Sequence, residues 1–380
     1  MNKGNGTNTL KNERLAGKLA LKQLLTPIHG RLNIARLLAA ISGVLTVVPY
    51  IALVMLGRLF LDATVQHQNI DAHQAWLIVN VLISTFVARL VIYFIALLIT
   101  HFADIKIGFL IRQQMINRLS NAPLGWFTDT NSGKIRKALQ DDIVEIHALV
   151  AHQPVDPVVA TVSPLFLLVY AFVIDWRLGV LSIATFPIYM GIMSIMMKGM
   201  GEKTVEMDSK LGAVSATMVE FVSGISVVKA FGTVGKAHHR YQKAANDFAK
   251  FYLAWVKPML RSSVLGYITV MPAVLLLVNL GGGTAMVAAG WVSPVAVLAT
   301  TLISLVIPQS ITTLSNSAWS YQLAGAAALR IERTLATPLI QETKHPMHPK
   351  DNEIVYDNVS FAYNDESLAI KDVNFCLKPN

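Results

Sequence analysis

Six apolar stretches divide the chain, and each is close to the roughly 20 residues that an α-helix needs to cross a bilayer. They cover residues 37–57, 75–100, 155–174, 178–197, 262–289 and 291–314. Short polar turns follow the first, third and fifth stretches, whereas the much longer connections 101–154 and 198–261 follow the second and fourth. This pattern predicts an all-α polytopic membrane domain with six transmembrane helices.

The two long connections are rich in Ala, Leu, Lys and Glu, which favour helix. We therefore expect them to extend the spans out of the membrane and to turn back at a tip. An arm of about 25 helical residues would be on the order of 35–40 Å long.

Composition supports a membrane protein. Of the 380 residues, 53% are hydrophobic and only 14% are charged, and the mean hydropathy is +0.49. A soluble domain is about a quarter charged. The net charge of +9 is explained by the orientation of the spans rather than by nucleic-acid binding. One cysteine, Cys376, excludes a disulfide within the chain, and we predict no metal site.

The basic residues predict the orientation. The loop 62–74 has two aspartates and no Lys or Arg, and the turn at Gly290 has no charge. The N-terminal segment and both long connections are rich in Lys and Arg. Because Lys and Arg concentrate in cytoplasmic loops, both termini and both long connections are predicted to lie in the cytoplasm. The family resemblance described below implies that the membrane is a bacterial plasma membrane.

Residues 1–33 contain six basic residues and one acid, Glu13. Leu15, Leu19, Leu24 and Leu25 form an apolar stripe between them. The pattern is typical of an amphipathic helix on the inner membrane surface, held by anionic lipid, with a disordered basic tail as the alternative.

Residues 216–241 resemble a known motif. This segment contains Glu220, Gly224, Ile225, Val228, Lys229, Phe231 and Gly232. At this spacing it resembles the second coupling helix of exporter-fold ABC transporters. The resemblance implies that the segment lies across the tip of two long helices and docks on the ATPase domain of a partner subunit.

The first tip carries a second resemblance to this family. Residues 121–142 match its pattern at Pro123, Phe127, Gly133 and Asp142, where the aspartate is expected to face the interior. The segment ending at Arg330 and Ile331 is similar to the connector that follows the sixth span. An ordinary helix–turn–helix would explain one match, but two matches between the expected spans favour the family.

Residues 353–379 alternate apolar and polar positions around a turn at 364–365 and predict two β-strands. They resemble the start of an α/β ABC ATPase domain, and the resemblance implies that Tyr363 stacks on adenine. The sequence has no phosphate-binding Gly-x-x-x-x-Gly-Lys-Ser/Thr loop. We therefore expect this chain alone neither to bind ATP and Mg²⁺ tightly nor to hydrolyse ATP. These cofactors belong to a complete protein, and we favour a truncated chain over an ATPase on another chain.

The resemblance implies four parts: an N-terminal segment 1–33, a membrane domain 34–335, a linker 336–351 and an incomplete nucleotide-binding domain 352–380. It also implies that the chain forms a homodimer, or a heterodimer with a second half-transporter. The implied partners are nucleotide-binding domains, the lipid bilayer and a small-molecule substrate, and nucleic acid is not among them.

Three stretches resemble one subgroup of this family, which includes relatives of the yersiniabactin and mycobactin transporters. They are residues 126–128, the set His147, His152 and Asp156, and residues 175–178. This resemblance implies uptake of ferric siderophores. Export of drugs, lipids or peptides is the first alternative, and an inactive or dominant-negative half-transporter is the second.

Arg89 is the one charge well inside a predicted span, and Tyr93 lies one helical turn further on the same face. A charge in the membrane is costly, so Arg89 is expected to face a cavity or a partner. We regard both residues as candidates for contact with substrate, with a structural ion pair or hydrogen bonds to carbonyl groups as the alternative for Arg89.

Overall fold

The computed structural model describes residues 3–127, 129–230, 234–340, 352–364 and 367–378. Within these ranges the chain forms α-helices followed by one antiparallel pair of strands. The helices are α1 Lys3–Leu24, α2 His29–Leu45, α3 Val47–Val65, α4 Ala72–Ser120, α5 Asp129–Leu139, α6 Asp141–His152, α7 Asp156–Ile174, α8 Trp176–Ser182, α9 Phe186–Met197, α10 Met200–Ser223, α11 Ile225–Ala230, α12 Val234–Thr269, α13 Pro272–Ala288, α14 Pro294–Ser304 and α15 Ile307–Leu335. The strands are β1 Ile354–Asn364 and β2 Ser367–Leu377.

Among the described residues, five helices are long and apolar enough to cross a membrane, and there are six if the bent pair α12 and α13 is counted as one span. The predicted spans 37–57, 178–197, 262–289 and 291–314 each contain a short interruption of regular helix. The first breaks at Thr46, the second at 183–185, the third at 270–271 and the last at 305–306.

Proline explains these breaks. Pro187, Pro272 and Pro308 each lie in the first turn of the helix that follows a break, and Pro49 lies near the start of α3. Proline has no N–H to donate to the preceding turn, and its ring collides with the carbonyl group four residues earlier. It therefore fits the start of a helix and interrupts a longer one.

The first long connection forms the predicted helical arm. Helix α4 continues without a break from the apolar stretch to Ser120, and α5 and α6 return towards the membrane. Asp71 begins α4 because its carboxylate accepts hydrogen bonds from the backbone N–H groups of His73 and Gln74, at 3.0 and 3.1 Å.

The largest buried cluster lies where α1, α4, α6 and α15 meet, beyond the membrane end of α4 predicted at residue 100. It includes Leu21, Ile107, Ile146, Ala328 and Ile331, all less than a tenth exposed. Alanine and glycine on α15 allow the helices to approach closely. This cluster fixes α15, the last helix before the strands, to the first arm.

Helix α1 packs differently from the predicted stripe. Gly17, Ala20 and Leu21 are buried, whereas Leu15 and Leu19 are 59% and 56% exposed. A face of small residues lets α1 approach the backbone of α15, and this contact was not visible in the pattern of leucines. The two leucines are left on the opposite, solvent- or lipid-facing side.

Gly17 and Gly325 form a matched test of this contact. A Cβ atom on Gly17 would lie 2.7 Å from the Gly325 carbonyl oxygen, whereas a Cβ on Gly325 would meet Gly17 at 3.6 Å, an ordinary distance. We expect Gly17→Ala to separate α1 from α15 and to speed tryptic cleavage at Arg14, Lys18 and Lys22. Gly325→Ala should leave cleavage at the wild-type rate, and equal rates for both variants would contradict the close approach.

The second arm, α9 to α12, packs chiefly on itself. Its main neighbours are α10 against α12 and α9 against α12. Many of its apolar side chains are exposed, including Ile188, Leu253, Leu260, Val264 and Leu265. Among the described residues no other element covers these side chains; Ile188, Val264 and Leu265 lie inside predicted spans, where lipid covers them, whereas Leu253 and Leu260 lie in the long connection outside those spans.

The two predicted strands are confirmed. β1 and β2 pair antiparallel from Ile354 opposite Leu377 to Asn364 opposite Ser367, and the Tyr356 and Phe375 rings stack with centroids 4.3 Å apart. Asn358 and Asp372 have positive φ angles where the register is irregular. Phe361 and Leu368 are exposed, so the hairpin has not buried its apolar residues.

Candidate functional site

Arg89 and Tyr93 lie on α4 at the depth where α2, α3 and α7 pack against it. Arg89 is partly buried. Among the described side chains, no ion pair includes Arg89. The structural ion pair that was the alternative for Arg89 is therefore not seen among the described side chains.

Tyr93 has a specific partner. Its hydroxyl group donates a hydrogen bond of 2.7 Å to Asp156 Oδ1, in the first turn of α7. The ring packs against a small cluster that includes Ala35, Ala96 and Val155. Tyr93 is thereby held in one position, with Arg89 one turn away on the same helix.

Three histidines continue this polar group towards the cytoplasmic arm. His152 Nδ1 lies 3.9 Å from Asp156 Oδ2, and His147 Nδ1 lies 2.6 Å from Asp104 Oδ2. The His101 ring lies between them, with its centroid 5.3 Å from that of His152 and 6.1 Å from that of His147. We call these five residues with Tyr93 the polar row.

The sequence analysis named Tyr93 but not the polar row. His147, His152 and Asp156 entered only as a family resemblance, and His101 and Asp104 were missed. Their spacing was an available signal, because His101 and Asp104 are three residues apart and His152 and Asp156 are four apart, so each pair shares a helix face. That α4, α6 and α7 bring the two pairs together is decided by packing.

The chemistry of the polar row and Arg89 suits a polar ligand. The group offers a cation, a phenol, two carboxylates and three imidazoles along one side of α4. His147 and His152 are about half exposed, so these groups are accessible to a ligand. Thr46 and Ser163 add a buried interhelical hydrogen bond of 3.1 Å nearby, on α2–α3 and α7.

Asp142 and Arg330 join the first arm to α15. Asp142 is 1% exposed, and both its carboxylate oxygens lie 3.0 Å from Arg330 Nε, with Nη2 at 2.6 Å from Oδ1. The predicted inward orientation of Asp142 is thus confirmed. Nearer the membrane, the Ser317 hydroxyl group donates to Gln153 Oε1. Two contacts therefore hold α15 along α6.

The first tip exposes apolar side chains. After α4 ends, Pro123 precedes a short 3₁₀ turn, Leu124–Trp126. Leu124 is 87% exposed and Phe127 is 43% exposed, with the Phe127 ring against that of Trp126 at 5.4 Å. Gly133 lies in α5, and a side chain there would meet no atom within 4 Å, so packing within this chain does not explain the glycine.

The same tip is fastened to the segment that leaves α15. Arg118 Nε donates to the Thr337 carbonyl oxygen at 2.7 Å, and the Ile340 N–H donates to the Asn121 carbonyl oxygen at 2.9 Å. Thr337 and Ile340 lead towards β1. The first tip is therefore fastened to the residues that directly follow α15.

The second tip is formed by α10, α11 and α12. Gly224 ends α10, Ile225 begins α11, and Lys229 lies in the last turn of α11. Glu220 on α10 pairs with Arg240 on α12 at 3.0 Å, which braces the two long helices across the tip. Phe231 and Gly232, and the Val228 side chain, lie outside the described residues.

Three features of the fold together indicate one family. Two helical arms each end in a short turn, the last helix leads into a strand pair, and a polar site lies between the apolar helices. The family model for the ABC transporter transmembrane region matches residues 32–311. The chain belongs to this family.

Relatives of the ABC transporter membrane domain extend the match beyond residue 311. The mycobactin import ATP-binding/permease protein IrtA of Mycolicibacterium smegmatis is 28% identical over 361 residues, which is 95% of this chain and 41% of the relative. IrtA of Mycobacterium tuberculosis is 26% identical over 95% of this chain and 41% of the relative. The ATP-dependent lipid A-core flippase of Acinetobacter baylyi is 24% identical over 72% of this chain and 47% of its own length. The chain therefore spans less than half of these relatives.

Family membership gives the two tips their context but does not test individual residues. The assignment to coupling segments stays a prediction for each of the residues named for it: Pro123, Phe127, Gly133, Gly224, Ile225, Val228, Lys229, Phe231 and Gly232. Tyr363 lies on β1, its side chain is outside the described part of the structure, and adenine stacking stays a prediction as well.

Proposed function

We propose that this membrane domain belongs to an ATP-driven transporter that takes up a ferric siderophore. The observation that carries the proposal is the extent of similarity to proteins named for mycobactin import, which covers 95% of the chain. The Arg89 and polar-row groups support it, because a metal chelate rich in oxygen and nitrogen needs hydrogen-bonding partners when it leaves water. The substrate itself is inferred from the relatives' names.

The proposed transporter is a dimer of half-transporters, either two copies or two different chains. The exposed apolar residues of the second arm support this arrangement, because they lack cover within their own chain. If α9 to α12 pack against the helices of a second subunit, these apolar side chains become buried. The second tip would then lie beneath the partner's helices, on the partner's ATPase domain.

ATP and Mg²⁺ act in the complete protein, on the nucleotide-binding domain that β1 and β2 begin. Tyr363 stacks on the adenine there. Closure of two ATPase domains moves the tips docked on them, and the rigid arms pass the movement to the spans. The Asp142–Arg330 pair and the contacts of Thr337 and Ile340 with the first tip keep α15 in step with the first arm.

The proposed orientation places both tips, both termini and the polar end of α1 in the cytoplasm. The concentration of Lys and Arg in 1–33, 101–154 and 198–261 supports it. The outer side carries the turns at Gln66–Asp71, Asp175 and Gly290. Arg177 lies over the Trp291 ring at 4.9 Å and thereby joins two of these turns.

Uptake is tested in proteoliposomes that contain the transporter with its complete ATPase domains and its partner. A ferric siderophore labelled in the iron is supplied either on the tip side or on the opposite side, with ATP on the tip side. Accumulation on the tip side, dependent on ATP, is expected. Movement away from the tip side would show export instead, and the absence of both ATP hydrolysis and substrate movement would point to an inactive half-transporter.

Arg89 is expected to contact the substrate anion. Replacing Arg89 with alanine should weaken the apparent affinity for an anionic chelate about 10–100-fold, because hydrogen bonds to charged groups contribute roughly 1.5–3 kcal/mol. A neutral chelate of similar size should lose much less. The control is Arg58→Ala, at an arginine near the outer end of α3. An equal loss for both chelates would assign Arg89 a structural role.

Export of a lipid is the second candidate. Similarity to a lipid A-core flippase supports it, although that match covers less of the chain. A flippase would move a labelled lipid between leaflets without moving a ferric chelate, so the same proteoliposomes separate the two functions.

A further inference from the structure

We propose that Asn279 on α13 and Thr301 on α14 form a hydrogen bond in a second conformation of the membrane domain, and that this bond favours the change to that conformation. The starting observation is a buried oxygen atom. Asn279 is 2% exposed, and its amide nitrogen donates a hydrogen bond of 2.9 Å to the Leu275 carbonyl oxygen. Its Oδ1 atom accepts no hydrogen bond from any group in the described part of the chain.

The position of Asn279 makes an unpaired oxygen costly. The residue lies inside the predicted span 262–289, about two helical turns after Pro272. Lipid tails offer no hydrogen-bond donor, and an amide oxygen that leaves water without a new donor loses free energy. The described conformation is therefore destabilised at this point relative to one in which a donor reaches Oδ1.

The packing of α13 on α14 places a donor at the same level. The two helices follow each other around the turn at Gly290 and run antiparallel. A Cβ atom on Gly283 would collide with the Val297 side chain, so these two positions face each other. Asn279 and Thr301 each lie one helical turn further from the turn at Gly290. Thr301 is 3% exposed, and its hydroxyl group therefore lies on the α14 face that packs towards Asn279.

Thr301 can transfer its hydrogen bond without leaving a group unpaired. Its hydroxyl group donates to the Val297 carbonyl oxygen at 2.7 Å. In a regular helix that carbonyl also accepts the backbone N–H of Thr301, so the hydroxyl group supplies a second bond to an acceptor that is already paired. Donation to Asn279 Oδ1 instead would pair the buried oxygen and cost only this second bond.

The helices around Asn279 have interruptions at which they can shift. Residues 183–185 follow α8, residues 270–271 precede α13, and residues 305–306 follow α14. The three helices pack on one another, and the Ser182 hydroxyl group at the end of α8 lies 2.8 Å from the Leu178 carbonyl oxygen and 3.4 Å from that of Thr300. Packed helices joined through such interruptions can slide by small amounts. Sliding of α13 along α14 changes the distance between Asn279 and Thr301.

A hydrogen bond that exists in only one of two conformations shifts the populations of both. Asn279 acts on this equilibrium through Thr301 and is therefore a positioning residue. The inference rests on the ATP-driven change of conformation in the proposed function, but it goes beyond uptake and does not depend on the substrate.

The test measures the thermal unfolding midpoint of the complete transporter in detergent, without nucleotide and with Mg²⁺ and a non-hydrolysable ATP analogue. The quantity of interest is the difference between the two midpoints. Thr301→Val removes the proposed bond alone and should change this difference by roughly 2–4 °C. Asn279→Leu also removes the unpaired oxygen, so it should change the difference in the same direction by roughly 4–8 °C. The double variant should match Asn279→Leu.

Thr161→Val on α7 is the matched control. The Thr161 hydroxyl group also donates to a carbonyl four residues earlier, at 2.7 Å, and its loss should leave the difference unchanged. The proposal is overturned if Thr301→Val leaves the difference unchanged, if the shifts of the two single variants add in the double variant, or if Asn279→Leu lowers both midpoints equally. The last result would show that Oδ1 already has a partner. No siderophore is present, so failure here is distinct from failure of the proposed uptake.

Discussion

Replacing Arg330 with methionine is expected to lower the free energy of unfolding of the membrane domain by about 3–5 kcal/mol. Asp142 is 1% exposed, and Arg330 supplies the charge-assisted hydrogen bonds to both of its oxygens. Removing the arginine leaves a carboxylate without compensation in a site that excludes water. A thermal shift assay in detergent, calibrated against denaturant unfolding, measures the loss.

Two further variants test whether the unpaired Asp142 carboxylate causes this loss of stability. Asp142→Asn in the Arg330→Met background removes the buried charge and should recover much of the stability, because the cost comes from the unpaired carboxylate. Arg240→Ala breaks an ion pair of similar length, but both of its side chains are mostly exposed, so we expect a change of about 1 kcal/mol or less. Similar losses for Arg330→Met and Arg240→Ala would contradict this account.

Placing a glutamate at Gly224 is expected to abolish transport while ATP hydrolysis continues. Gly224 ends α10 at the second tip, and a Cβ there would lie 3.1 Å from the Glu220 carbonyl oxygen. The longer, charged side chain would alter the turn and place a new negative charge on the docking surface. In the complete dimeric transporter, we expect a loss of about tenfold or more in substrate movement per ATP hydrolysed.

Gly212 supplies the matched control for Gly224→Glu. It lies on the same helix about 18 Å from the tip, and a side chain there meets nothing within 4 Å. Gly212→Glu should keep the wild-type ratio of transport to hydrolysis. Phe231→Asp is expected to act like Gly224→Glu. Unchanged coupling in both tip variants would remove the coupling assignment of residues 224–232, and equal damage from Gly212→Glu would indicate a general effect on the arm.

Most of the candidate site could be located from the sequence, but not its internal contacts. Tyr93 was predicted as a site residue from its place beside Arg89, one helical turn away. Its hydrogen bond to Asp156 joins residues 63 positions apart, and no local pattern encodes such a pair. His101 and Asp104 were missed because their neighbours His152 and His147 lie on another helix of the first arm.

Helix α1 shows where a local prediction of a helix did not include its packed face. The leucine pattern predicted an amphipathic helix, and Lys3–Leu24 is a helix. The packed face, however, consists of Gly17, Ala20 and Leu21, because a glycine allows backbone contact with α15 that leucine would prevent. Glycine and alanine contribute little to a hydrophobic pattern, so the pattern does not predict them as contact residues.

By itself the sequence determined the apolar helices, the two long arms and the pair of strands, because helix and strand periodicity and bilayer thickness act over short stretches of chain. It also placed the prolines at which the spans break. Only the tertiary structure decided that Asp142 binds Arg330 across 188 positions, that Gly17 meets Gly325, and that the second arm lacks cover within its chain. These depend on how distant helices pack, and packing is set by the fit of whole surfaces rather than by any one segment.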